Sequence, residues 1–300
     1  MKKVLFATTA LVATAGVAAA DVTFGGYGRF GIKYDETGSA TGGSTTDLTS
    51  RFRLQIDATA ESDAGVVFGA RARIQADGDG TTNGVGADFN GVRYFARSGG
   101  FEVGVGNIFG ALESMPGQYP IDLGLTGLGY DYTAFDGNGD AYSSTGDGAI
   151  NGVEVLYSAG DLSVHVSASD DNDRVAGYVG YTWSGWTFAV GAQDSDDAGD
   201  TEWTASAGGS FGMADVTLAY ADNGDNGNRT VLAARFDVGA ATDIEVYVAD
   251  NTDSTTASDN DTGYGIDFNH DLGGGVSLRG GVAQRISGNT QADMGVRFNF

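Results

Sequence analysis

The 300-residue chain contains no cysteine, only 2 prolines and 2 histidines, and 16 bases against 40 acids. Without cysteine it cannot form a disulfide framework, a thiolate zinc site or a cysteine nucleophile. His165 and His270 lie far apart in sequence without a nucleophile pattern, so neither is expected to act in catalysis. A formal net charge of -24 and a pI near 4.1 argue against nucleic-acid binding, because a protein that neutralises phosphates needs an excess of bases.

The acidic excess alone would be compatible with disorder. Hydrophobic residues, however, make up 41% of the chain and aromatic residues 11%, which is too much for a chain that cannot bury a core. Glycine is also abundant, with 50 residues. The fold must therefore explain why an ordered protein is rich in both glycine and acid.

The N-terminal residues have the pattern of a secretory signal peptide. Lys2 and Lys3 precede an apolar run that ends in three alanines before Asp21. A retained membrane anchor is the alternative, but the run is short and weakly hydrophobic for a span. No later segment has 18 consecutive apolar residues. We therefore expect residues 1–20 to be removed and residues 21–300 to form one exported domain.

From Asp21 onward, apolar and polar residues alternate with a period of two, as in β-strands with two different faces. Clusters of glycine, aspartate, asparagine and serine separate the segments, and no segment has convincing helical periodicity. Sixteen segments have the strand pattern: 22–34, 49–60, 65–77, 90–98, 101–108, 152–159, 162–169, 174–183, 186–193, 201–211, 215–222, 229–238, 243–250, 262–270, 275–285 and 290–300.

Short turns and longer polar loops alternate between these segments. Seven short and eight longer connections place both termini on the short-turn side, as an even-stranded membrane barrel requires. A soluble β-sandwich would alternate in the same way, but sixteen strands would normally form two domains, and no linker or shift in composition marks a boundary. The sequence therefore predicts an all-β protein, a sixteen-stranded antiparallel transmembrane β-barrel.

The two faces of the strands differ in chemistry. The apolar face carries aromatic residues near the strand ends, such as Trp183 and Trp186 on either side of one turn, which resembles the aromatic girdles of membrane barrels. Charged residues fall almost entirely in the opposite phase. Because an arginine facing lipid at the bilayer midplane costs about 2–4 kcal/mol, the charged face should line an aqueous lumen. An open lumen would also tolerate inward glycines, among them Gly31 and Gly191.

The longest connection, residues 109–150, follows the fifth strand and contains acids but no lysine or arginine. We expect it to fold into the lumen opposite bases of the first four strands, where the resulting transverse field filters solutes by size and charge. The alternative is that the loop acids are solvated and the arginines pair with neighbouring wall acids. The acidic candidates are Glu113, Asp122, Asp131 and Asp136, and the basic candidates are Arg29, Lys33, Arg51, Arg53, Arg71, Arg73, Arg93 and Arg97.

Two further motifs compete with this interpretation. Residues 26–31 satisfy GxGxxG, but a single strand runs through them where a dinucleotide site needs a strand followed by a helix. Asp136, Asn138 and Asp140 offer oxygens at alternate positions, a spacing that suits calcium, although a solvated loop is the favoured interpretation.

The chain resembles the general bacterial porins, in particular those of Rhodobacter and related alphaproteobacteria. Residues 104–110, GVGNIFG, resemble that family's glycine-rich passage from the fifth strand into the third loop, and residues 271–282 and 292–300 resemble its last hairpin and terminal aromatic. One departure is that the Pro-Glu-Phe-Gly-Gly-Asp signature of the enterobacterial relatives is missing, and residues 116–120 supply no acid in its place.

The resemblance implies a porin in the outer membrane of a Gram-negative bacterium, a water-filled channel for passive diffusion of small hydrophilic solutes and ions. It further implies a homotrimer that is not an enzyme and requires no cofactor, with calcium as an optional ligand, and with acidic third-loop residues facing wall arginines. In that family the outer-membrane assembly machinery reads the terminal strand, and Phe300 fits that signal.

Two other classes share parts of the composition. A secreted calcium-binding β-solenoid or adhesin would need a short repeat such as GGxGxDxUx, and none is sustained over three copies. A barrel that serves mainly as a structural anchor, with a plugged lumen, is the weaker alternative.

Overall fold

The computed structural model describes residues 20–38, 45–78, 87–136, 151–170, 172–196, 199–256 and 259–300. Within these ranges sixteen strands form one antiparallel sheet that closes on itself, because β1 pairs with both β2 and β16. The strands are β1 (Asp21–Asp35), β2 (Thr46–Glu61), β3 (Val67–Gly78), β4 (Asp88–Phe89 and Arg93–Ser98), β5 (Phe101–Gly106), β6 (Gly152–Ala159), β7 (Leu162–Ser169), β8 (Val175–Trp183), β9 (Trp186–Asp194), β10 (Glu202–Phe211), β11 (Ala214–Asp222), β12 (Asn228–Asp237), β13 (Thr242–Thr252), β14 (Thr262–Gly273), β15 (Val276–Gln284) and β16 (Thr290–Asn299). The predicted sixteen-stranded barrel is confirmed.

Besides shifts of one to three residues at several strand ends, two differences from the predicted segments bear on the lumen. β4 has two parts. Phe89 pairs with Ile74 and Arg93 with Arg71, so between these pairs β4 has one residue more than β3, which makes a β-bulge. β5 ends two residues earlier than predicted, at Gly106, whose φ of 94° and close approach to a neighbouring carbonyl admit no side chain. The chain turns into the barrel at this glycine.

The strand connections have the predicted asymmetry. Seven short turns lie at one end of the barrel and eight longer connections at the other. At Ser184 and Gly185 both φ angles are positive, at 53° and 83°, as a two-residue hairpin turn of type I′ requires, and Trp183 pairs with Trp186 across it. The described residues contain no helix long and apolar enough to span a membrane. The predicted signal peptide lies outside the described residues up to residue 19.

The outside of the barrel is apolar, whereas the packed core lies inside it. On β1, Phe24, Phe30 and Ile32 are exposed on one face, and the half-buried Arg29 belongs to the opposite face. The largest buried apolar side chains belong to the chain that follows β5, such as Leu112 and Tyr132, and these pack on small side chains of the wall. The lumen therefore has a dry layer on part of its circumference.

Candidate pore constriction

The segment after β5, residues 107–136, lies against the inner wall of the barrel and is called the inner loop. Its main chain is bonded to successive strands along its length. Near its start, the Ala111 N–H donates to Ser167 Oγ of β7 (2.9 Å), and further on Ser206 Oγ of β10 donates to the Pro116 carbonyl (2.5 Å). From residue 111 to residue 126 the inner loop thus follows the wall in the order of the strands as far as β16, and it then runs back to Arg285 after β15 and Arg229 of β12.

Three buried wall carboxyl groups, Glu245 of β13, Asp267 of β14 and Asp293 of β16, accept hydrogen bonds from the backbone of the inner loop. The bonds are Asp122 N to Glu245 Oε2 (3.0 Å), Gly124 N to Asp267 Oδ2 (2.5 Å), Leu125 N to Asp293 Oδ1 (2.9 Å) and Thr126 N to Asp293 Oδ2 (2.7 Å). Such bonds contribute about 0.5–3 kcal/mol each, and the upper part of this range applies where the carboxyl group is ionised. These acids fix the middle of the inner loop to the wall.

Wall glycines make room for apolar side chains of the inner loop. A Cβ on Gly191 would lie 2.4 Å from Leu112 Cδ2, and Leu125 Cδ2 lies 2.8 Å and 2.6 Å from the positions of a Cβ on Gly31 and Gly295. The expectation that Gly31 and Gly191 face an open lumen was wrong, because the loop leucines fill the space above them.

Three of the four candidate loop acids are bound to arginines of β12, β15 and β16 or of the connection after β15, not to those of β1–β4. Asp122 accepts from Arg279 (2.5 Å) and Arg297 (3.1 Å), Asp131 accepts two bonds from Arg285 (2.6 Å and 2.8 Å), and Asp136 accepts from Arg229 (3.0 Å). Asp131 is buried, whereas 57% of the Asp122 side chain is exposed. Asp122 therefore presents its carboxylate to the lumen.

Glu113, the fourth candidate acid, lies on the exposed surface of the inner loop. The pKa of the nearby Tyr119 phenol is raised, first by partial desolvation and then by the negative charge of Glu113. Glu113 thus adds negative charge close to an exposed aromatic ring.

Among the candidate bases, three arginines pair with wall acids: Arg51 with Asp77, Arg71 with Asp57, and Arg93 with Glu154 and Glu102. These three arginines therefore follow the alternative interpretation, in which the wall arginines pair with neighbouring wall acids and not with acids of the loop. Arg29, Arg53 and Arg73 donate to neutral oxygens, which are Leu125 O (2.6 Å), Gln75 Oε1 (2.6 Å) and Gln55 Oε1 (3.0 Å).

The two remaining candidate bases lie at different heights in the wall. Lys33 is half-buried and stands beside Asp47 and Asp293 in the sheet register. Arg97 is exposed at the short-turn end of β4 and lies over the Phe95 ring (5.4 Å). The structure thus brings Arg29, Arg51 and Arg53 together and leaves Arg97 apart from them.

Barrel closure adds Arg297 to this group. Arg29 of β1 stands directly opposite Arg297 of β16 on one side and Arg51 of β2 on the other. Like charges in such positions are destabilising unless they are compensated. The Tyr27 ring provides part of the compensation, since the Arg297 and Arg53 guanidiniums lie 4.3 Å and 5.3 Å from its centroid. We call Arg29, Arg51, Arg53 and Arg297 the cationic face.

Arg297 was in the charged phase of the sequence but was not among the candidates. The predicted barrel closure could have identified Arg297. In a closed barrel the last strand lies beside the first, so inward bases of β16 stand next to those of β1. The wall anchors Glu245, Asp267 and Asp293 were also missed, because an inward acid that faces water and one that binds a loop have the same sequence pattern.

The calcium candidates are only partly described. The Asp136 carboxylate forms an ion pair with Arg229, and Asn138 and Asp140 lie outside the described residues. Within the described ranges no group of three or more His, Asp or Glu side chains has an arrangement that could hold a metal ion.

His165 and Phe300 have clear structural positions. His165 is fully buried, with Nε2 2.9 Å from Glu154 Oε2. Phe300 exchanges two backbone hydrogen bonds with Gly26 at the seam of the barrel, and its ring is stacked on Phe52 (5.6 Å).

Comparisons with known proteins agree with this architecture. The sequence model of the Gram-negative porin family matches residues 7–290. A porin of Fuscovulum blasticum is 32% identical and a porin of Rhodobacter capsulatus 28% identical, each aligned over 93% of this chain and 100% of the relative. The structure of a triple mutant of Rhodopseudomonas blastica porin superposes with a TM-score of 0.83 at 27% identity, covering 93% of this chain and 100% of that one.

The closed barrel, the loop docked inside it and these matches have one explanation. The chain belongs to the Gram-negative porin family, and it forms a water-filled channel in the outer membrane for the passive diffusion of small hydrophilic solutes and ions.

Proposed function

We propose that the cationic face and the exposed edge of the inner loop, which adjoin where Arg297 binds Asp122 and Arg29 binds Leu125 O, together set the selectivity of this channel. The observation that carries the proposal is the asymmetry of the inner wall: the loop covers β6–β16 and reaches β1 at Leu125, whereas Arg51 and Arg53 of β2 remain partly exposed. Charges of opposite sign across a narrow aqueous passage create a transverse field that orders dipolar solutes and sorts ions.

The compensation of the charges decides which groups act on a passing ion. Asp131 and Asp136 are engaged by Arg285 and Arg229 on the covered side. On the cationic face, Arg29 and Arg53 donate to a carbonyl and an amide oxygen, so that their positive charge is not cancelled by those partners. These two arginines are therefore the strongest positive determinants of the constriction.

The experiment is the reversal potential of single channels in a planar bilayer under a potassium chloride gradient. Replacing both arginines, as Arg29→Gln with Arg53→Gln, is expected to raise the ratio of potassium to chloride permeability several-fold. Arg97→Gln is the control: it removes one positive charge, against two in the double variant, at the short-turn end of β4, and it should leave the ratio nearly unchanged. Equal shifts in the two variants, or no shift, would contradict the proposal.

We also propose that the channel is a homotrimer that catalyses no reaction and needs no metal ion. The family resemblance supports the trimer, and the engagement of Asp136 by Arg229 weighs against a calcium requirement. In the same bilayers, conductance steps should come in groups of three, and a chelator should leave their size unchanged. Isolated single steps would refute the trimer, and a conductance lost on chelation and restored by calcium would refute the metal-free channel.

We further propose that the assembly machinery of the outer membrane recognises the last strand through Phe300. The exposed position of this ring at the barrel seam supports the proposal. Deleting Phe300 should slow insertion into native membranes more than refolding of the purified protein in detergent, whereas an equal delay in both would indicate only a structural role.

A further inference from the structure

Four tyrosine rings form a continuous series from the barrel wall to the lumen. Tyr247 of β13 and Tyr132 of the inner loop are buried, whereas Tyr130 and Tyr119 are 45% and 51% exposed. The centroids of successive rings, in the order 247, 132, 130 and 119, are 5.9 Å, 5.7 Å and 6.5 Å apart. Because the other side of the inner loop is packed on the wall, the two exposed rings face the aqueous passage.

The backbone holds Tyr130 in a costly conformation. Its φ is 63° and that of Leu128 is 39°, both in the left-handed region that non-glycine residues rarely adopt. Gly127 fits under the ring, because a Cβ there would lie 2.5 Å from Tyr130 Cζ. Conformations of this kind are energetically unfavourable and concentrate at functional sites. The fold therefore keeps Tyr130 in an unfavourable backbone conformation, in which about half of its side chain is exposed to water.

The exposed rings lie close to the cationic face. Arg29 is bonded to the inner loop at Leu125 O (2.6 Å), five residues before Tyr130. Tyr130 is within electrostatic range of both Arg29 and Arg53. Tyr119 is turned edge-on to Tyr130, with an interplanar angle of 84°. The two exposed rings and the two guanidiniums therefore border the same part of the passage.

These groups recognise one class of solute especially well. A guanidinium binds a carboxylate through paired N–H donors, and an aromatic ring packs on tyrosine in offset or edge-to-face contact. We propose that Tyr119 and Tyr130, together with Arg29 and Arg53, form a weak binding subsite for aromatic carboxylates in the channel. The inference rests on the proposed constriction and extends it to a substrate class. A weak site of this kind concentrates the solute at the narrow zone and still releases it.

The test compares benzoate with cyclohexanecarboxylate, which has the same charge and a similar size but no aromatic ring. Each anion is added to one side of a bilayer that contains the full-length channel, and the dwell time of its interruptions of the chloride current is measured. Benzoate should dwell about two- to tenfold longer, the range that one aromatic pair contributes. Tyr119→Leu and Tyr130→Asn should each reduce this preference, and asparagine is chosen at 130 because it tolerates a positive φ.

Two sets of controls separate the possible outcomes. Tyr119→Phe and Tyr130→Phe keep the rings and should keep the preference, and Tyr264→Leu removes an exposed tyrosine from the outside of β14 and should have no effect. Equal dwell times for the two anions in a conducting wild-type channel would overturn the subsite, and so would a preference that survives both ring deletions. A reversal potential that stays unchanged in the Arg29→Gln, Arg53→Gln channel would instead count against the constriction proposal.

Discussion

The inner wall of this barrel has two regions with different tasks. Beneath the inner loop, the covered wall of β6–β16 carries small side chains such as Ala221 and Ala249, which are fully buried, together with glycines and buried acids. The bare wall of β2 and β3 carries long arginine side chains such as Arg51 and Arg71, which remain partly exposed. Both regions have the same alternation of polar and apolar residues. The comparison shows that inward residues of a barrel can serve either to hold a loop or to face the solute, and that side-chain size and charge compensation distinguish the two.

The largest effect is expected from removing an anchor of the covered wall. Asp293→Ala deletes the acceptor of the Leu125 and Thr126 amides, each bond contributing about 1.5–3 kcal/mol. Hydrogen exchange of these two amides should accelerate at least about tenfold. The control is Asp237→Ala, which removes an exposed acid at a turn and should leave both amides protected. Unchanged protection in the Asp293 variant would mean that the loop is held without this carboxylate.

A medium effect is expected from filling one of the spaces under the inner loop. Gly191→Ala places a Cβ 2.4 Å from Leu112 Cδ2 and should lower the free energy of unfolding by about 1–3 kcal/mol, as overpacking does. If the clash is with the loop, adding Leu112→Ala should cost less in this background than in the wild type. Gly239→Ala, which meets nothing within 4 Å, is the control. Additive losses in denaturant unfolding would show that the glycine serves the sheet alone.

The smallest effect is expected in how the free energy of unfolding depends on pH at alkaline pH. Burial, and to a lesser extent the neighbouring Tyr130 and Asp122, raise the pKa of the Tyr132 phenol above its ordinary value of 10.0. The unfolded chain therefore releases this proton first, and stability is lost as pH rises above about 10. Tyr132→Phe should unfold with a shallower dependence on pH between about 9 and 11 than the wild type. Parallel pH profiles would contradict the buried position of this phenol.

The fold was predictable because the strand signal is local. Period-two alternation and the chemistry of the turns gave sixteen strands, a closed barrel and the position of the long loop. The bulge in β4 and the early end of β5 were not predictable, since they depend on the contacts of Val92 and Gly106 with neighbouring strands.

The constriction was predictable only in part. Its residue types followed from the sequence, but its ion pairs did not, because Asp122 meets Arg279 of β15 and Arg297 of β16 across 157 and 175 residues of sequence. The role of Asp293 depends on backbone amides of the inner loop, which leave no trace in the sequence.

The most direct test of the difference between the two walls uses the absence of cysteine, since any introduced thiol is the only one in the chain. Arg53→Cys places it on the bare wall and Ala249→Cys on the covered wall, and both are exposed to a cationic methanethiosulfonate reagent in a conducting bilayer. The thiol at 53 should react about a hundredfold faster and change the current, because a buried thiol reacts only after local opening. Equal reaction rates at the two positions would contradict the account.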